Sequence, residues 1–84
     1  MPDSNTVVRD EVAEVLRLRA AELLAEPGVE LGDNFLDLGG HSLMALDLSK
    51  EMERRFGAPI DIRLLFEESF AAVAEDIAAQ AQTT

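Results

Sequence analysis

Apolar side chains recur early in the chain at three- and four-residue steps: Val8, Val12, Val15, Leu16, Ala20 and Leu23. Arg9, Glu11, Glu14, Arg17 and Glu22 fill the other faces. The period predicts an amphipathic helix over Thr6 to Ala25, capped by Ser4, Asn5 or Thr6 and ended by Pro27-Gly28. Glu26 to Gly40, EPGVELGDNFLDLGG, then keeps no period. A loop of this length is uncommon in a compact domain unless functional. Its apolar residues Val29, Leu31, Phe35, Leu36 and Leu38 are expected to pin it across the protein, with Phe35 as the main anchor. Asp33 and Asn34 suit a local turn or a short helical cap.

A second helix is predicted from Ser42 to Phe56, with Ala45, Leu48, Met52 and Phe56 on its core stripe and Gly57 and Pro59 beyond its end. Ile60, Ile62, Leu64, Leu65 and Phe66 form a short apolar cluster that predicts a brief third helix. Phe70, Val73, Ala74, Ile77 and Ala81 define a last helix capped by Ser69, with the final Ala-Gln-Thr-Thr fraying. No strand-like alternation and no internal repeat occurs. The expected fold is all-α: a four-helix bundle of three main helices and one short one, with a long loop between helices 1 and 2. Eighty-four residues make a single domain, 1–84, with its core over about 6–81.

Composition narrows the chemistry. Hydrophobic residues make up 48% of the chain, but with four Phe and no Trp or Tyr the core must be largely aliphatic. The absence of cysteine rules out disulfides and thiolate zinc sites. No stretch approaches the ~18 apolar residues of a membrane span, and no leader peptide is evident, so the chain reads as cytoplasmic without a membrane partner. Seven Lys and Arg against seventeen Asp and Glu give a formal charge of −10. Nucleic acid is then a poor partner; a monomer that attracts basic protein surfaces is expected.

The densest signal is DLGGHSLMAL, Asp37 to Leu46. Ser42 has two readings. Taken alone, a serine at a helix start is an ordinary N-cap. Its context favours an exposed, modifiable hydroxyl: Gly39-Gly40 permits a sharp turn, the helix start suits a phosphate, and Leu43 and Leu46 lie off the core stripe. A serine hydrolase is excluded, because GHSLM ends in Met44 where the nucleophile elbow needs Gly, no strand precedes it, and the only histidine, His41, is its sequence neighbour. One His and no Cys leave no metal site, and Phe35 stands where a calcium loop needs oxygen. A helical interaction module without a prosthetic group stays open as the alternative.

DNFLDLGGHSL, Asp33 to Leu43, closely resembles the phosphopantetheine attachment motif of peptidyl carrier proteins, the thiolation domains of nonribosomal peptide synthesis. The resemblance continues through ERRFG and PIDIRLLFEESFAAVAEDI, so it covers nearly the whole chain. It implies that Ser42 receives 4′-phosphopantetheine from coenzyme A through a magnesium-dependent phosphopantetheinyl transferase. The arm's thiol would then hold an aminoacyl or peptidyl group as a thioester. An adenylation (loading) enzyme and downstream condensation or tailoring enzymes would be the partners, and the chain itself would catalyse nothing.

His41 before the serine looks like the peptidyl type, whereas fatty-acid and many polyketide acyl carriers resemble one another in having Asp there; an acyl carrier is the nearest alternative. By position, His41, Leu43, Leu46, Ile62 and Phe66 match partner-facing residues, with core packing an equal alternative for Ile62 and Phe66. The initiating Met, the short tail and the acidity suggest a free-standing carrier, in which Asp47 and Glu51 steer basic partners toward Ser42.

Overall fold

The computed structural model describes residues 4–81, with side chains from Val8 onward. Four helices follow in order: α1 Ser4–Leu24, α2 Ser42–Phe56, α3 Ile62–Glu67 and α4 Phe70–Ala81. Among the described residues there is no strand, only an isolated antiparallel bridge between Asn34 and Ser69. The all-α four-helix expectation is met. α1 packs chiefly on α4 and also on α2, while the short α3 closes the gap between α2 and α4.

The helical stripes account for the core. Val12, Leu16 and Ala20 of α1 are buried, as are Ala45, Leu48 and Met52 of α2 and Phe70, Val73, Ala74 and Ile77 of α4. Phe56 and Ala81, expected on the same stripes, are only half-buried. Phe35, from the loop between α1 and α2, is fully buried, and Val29 nearly so. Leu36 departs from expectation: at 46% exposed it pins nothing.

Helix ends differ from the sequence reading in three places. α1 is described from Ser4, so Asn5 and Thr6 lie inside the helix; the side chains of all three proposed cap residues fall outside the described part. Its end comes at Ala25, which takes a left-handed φ of 54°, before Pro27-Gly28 is reached. The Glu26 amide then donates back to the Ala21 carbonyl at 2.9 Å, the wrap-around bond that closes many helix C-termini. At α2 the cap position belongs to His41, whose side chain makes no capping bond, so Ser42 is the first helical residue and not the cap.

Other ends follow the rules for caps. Ser69 Oγ accepts the Ala72 amide at 3.3 Å, as expected for the start of α4. Asp61, unremarked in the pattern, caps α3 by accepting the Leu64 amide at 3.3 Å. α2 stops at Gly57, φ 74°, whose amide donates to the Glu53 carbonyl at 2.8 Å. Of the tail Ala81 to Thr84 that was expected to fray, Ala81 is the last residue of α4, and 82–84 lie outside the described residues.

Candidate functional site

The loop ahead of α2 is wound around one aromatic ring. The Phe35 carbonyl accepts the amides of Leu38 and Gly40 at 3.3 and 3.0 Å, and the Leu36 carbonyl accepts that of Gly39 at 3.0 Å. Gly39 has φ 93°, a conformation glycine adopts without steric cost. Gly40 is required for a different reason: a Cβ there would stand 2.3 Å from the Phe35 ring. The second glycine is therefore a packing surface for Phe35 as well as part of a turn. The same ring stacks on Phe66 of α3 (centroids 6.2 Å apart, 16° between planes) and meets Phe70 of α4 edge-on at 6.5 Å.

Asn34 ties this loop to α3. Its side-chain amide donates to the carbonyls of Phe66 and Glu68 at 3.1 and 2.7 Å, and its Oδ1 accepts the Asp37 amide at 3.1 Å. The local half, a cap-like bond to the amide three residues on, fits the short helical cap expected of Asp33 and Asn34. The long-range half was not expected, because no local pattern marks a partner more than thirty residues away. Ser49 works similarly on the other flank: its Oγ accepts the Ile60 amide at 3.0 Å, fixing the approach to α3.

On this framework His41 is extended (φ −141°, ψ 176°), and its carbonyl accepts the Ala45 amide at 2.9 Å to open α2. Ser42 follows, exposed and without a side-chain hydrogen bond among the described residues. The first-turn amides have no side-chain acceptor, so the positive end of the helix dipole is open beside the hydroxyl. Leu43 and Leu46, 71% and 51% exposed, flank it on the outer face together with exposed Asp47. Ile62 and Phe66 are half-buried and pack on the core, each leaving part of its surface open.

Glu51 does not share the face on which steering was expected. It is buried, hydrogen-bonded by Arg54 and by Arg55 Nε at 2.7 Å, with Arg19 of α1 at 3.9 Å. The Arg55 hydrogen bond, helped by the charges of Arg54 and Arg19 and opposed by burial, holds its carboxyl below the usual value of 4.5. A carboxylate so enclosed by cations projects little field toward Ser42. The i+3 and i+4 arginines of ERR were the available signal for this pairing.

Comparison with known proteins agrees with this geometry. Residues 6–77 match the family described as "Phosphopantetheine attachment site", and the chain belongs to that family. It is 43% identical over 77 residues to nonribosomal peptide synthetase kk1B of Curvularia clavata, covering 86% of this chain and 1% of that protein. It is 37% identical over 76 residues to the dimodular nonribosomal peptide synthase of Bacillus subtilis, covering 84% of this chain and 3% of that one. Enniatin synthetase of Fusarium oxysporum is 43% identical over 56 residues, covering 64% of this chain and 2% of that protein. The chain thus spans only a few hundredths of the length of these relatives. No solved structure matches it significantly.

Proposed function

We propose that Ser42 carries 4′-phosphopantetheine and that the chain is a peptidyl carrier, a substrate for other enzymes with no catalysis of its own. A phosphopantetheinyl transferase using coenzyme A would install the arm, an adenylating enzyme would load it, and condensation or tailoring enzymes would unload it. The observation that carries this reading is the Ser42 side chain: exposed, free of hydrogen bonds to the described residues, and first in a helix whose amides face outward. When attached, the arm supplies a thiol that keeps an acyl group reactive as a thioester. The chain's own part is to hold the hydroxyl open, to favour the negative phosphodiester at the helix start, and to offer Leu43 and Leu46 to partners. His41, Asp47, Ile62 and Phe66 complete that face. The acidity of the chain, −10 overall, supports a discrete carrier that meets basic partners by diffusion.

The test is intact mass after incubation with coenzyme A, magnesium and a broad-specificity transferase. The wild-type chain gains one phosphopantetheinyl group and Ser42→Ala gains none. Folded wild-type protein that gains no mass overturns the assignment. Loading of the holo form by an enzyme that adenylates amino acids separates a peptidyl from an acyl carrier.

A further inference from the structure

One half-buried side chain holds two parts of the fold at once. The Asn34 amide group donates to the Phe66 carbonyl at 3.1 Å and to the Glu68 carbonyl at 2.7 Å, while its Oδ1 accepts the Asp37 amide at 3.1 Å. Two donors and an acceptor on so short a side chain are found in asparagine alone.

The donor end serves α3. Six residues are too few for a helix to hold itself in water. Asp61 caps its start, but the Phe66 carbonyl lies too near its end to find an intrahelical partner. Asn34 binds that carbonyl and the Phe35 ring stacks on the Phe66 ring, so two neighbouring loop residues grip one residue of α3. The acceptor end serves Ser42. The Asp37 amide opens the turn whose Leu38 and Gly40 amides return to the Phe35 carbonyl, and Ser42 stands two residues beyond Gly40. The Phe70 and Ala71 amides donate to the carbonyls of Asp33 and Leu31 at 3.0 and 2.9 Å, so backbone holds the loop on α4 whatever side chain stands at position 34.

Building on the reading of Ser42 as the attachment site, we infer that Asn34 is a positioning residue for its modification. In that step the Ser42 oxygen bonds to the coenzyme A phosphorus next to pantetheine. The phosphoanhydride bond breaks, the hydroxyl proton goes to base, and 3′,5′-adenosine diphosphate leaves. Attack in line with the leaving group is sensitive to where the hydroxyl stands. Asn34 sets that place by locking the turn ahead of α2 to the end of α3, and takes no part in bond making.

Two variants test this. In Asn34→Asp the carboxylate still accepts the Asp37 amide, but has no hydrogen to donate and stands against two carbonyls. Asn34→Ala removes both ends without adding charge, and decides by itself should Asn34→Asp not fold. Val73→Ala, at a buried position of α4, supplies a loss of stability away from the turn. All are compared at a temperature where circular dichroism shows them folded, with coenzyme A, magnesium and a broad-specificity transferase. Both Asn34 variants are expected to lower kcat about tenfold with KM nearly unchanged, while Val73→Ala matches wild type. Amide NMR shifts of unmodified Asn34→Asp are expected to move at 39–42 as well as at 62–68, although the bond to Asp37 is kept. Wild-type kcat in a folded Asn34 variant, an equal loss in Val73→Ala, or shifts confined to 62–68 overturn the inference while Ser42 keeps its assignment. A wild-type chain that never acquires phosphopantetheine overturns both.

Discussion

At the residue scale, the glycine pair before Ser42 divides its work. Gly39 supplies a backbone angle, whereas Gly40 supplies the missing methyl that lets Phe35 close under the turn. Gly40→Ala is expected to destabilise the fold by about 1–3 kcal/mol through overpacking and to slow modification of Ser42, read by thermal melting and by mass-detected transferase kinetics. The outer and inner leucines of α2 give a sharper contrast. Leu46→Asp, on a half-exposed side chain, should shift stability by no more than ~0.5 kcal/mol yet impair partner reactions. Leu48→Ala, at a fully buried position, should cost ~2–5 kcal/mol. Similar stability losses in the two variants would show that the faces of α2 have been assigned wrongly.

At the element scale, the helices are held to one another by a few groups that local pattern does not announce. Glu51 joins α2 to Arg19 of α1, and Asn34 joins the loop to α3. Because the folded protein holds the Glu51 pKa below 4.5, its contribution is complete above that pH and is lost as pH falls through the lowered folded value. Glu51→Gln should therefore melt lower than wild type at neutral pH, with the gap closing below about pH 4.5. A gap independent of pH would remove the ion pair as its cause. The C-terminus of α1 offers a gain. Ala25 at φ 54° carries a left-handed penalty of roughly 1–2 kcal/mol, offset in part by glycine's extra unfolded-state freedom. Ala25→Gly should raise Tm by a few degrees.

At the scale of the whole molecule, charge is distributed unevenly. Most carboxylates face solvent, the arginines are paired, and the stretch from Ser42 to Ser49 carries no Lys or Arg at all. On the proposed function, long-range attraction of basic partners falls to exposed acids such as Asp47, without buried Glu51. Asp47→Lys should slow transferase modification of Ser42 at low ionic strength by lowering the association rate, and the difference should fade toward 1 M salt, where the Debye length is about 3 Å. A rate difference that persists at high salt would point to a short-range contact instead of steering.

Periodicity by itself determined which faces of α1, α2 and α4 turn inward, because a 3.6-residue repeat of apolar side chains leaves a helix one way to bury them. It also isolated Ser42, Leu43 and Leu46 as residues outside those stripes, and the glycines and histidine beside them marked the turn. Tertiary structure alone decided what depends on groups distant in sequence. Burial of Glu51 arises from α1 laying Arg19 against α2; the need for glycine at position 40 arises from the place of the Phe35 ring; the seat of α3 arises from an amide reaching across from Asn34. Each is a contact between elements, and a contact exists only once the chain has brought both sides together.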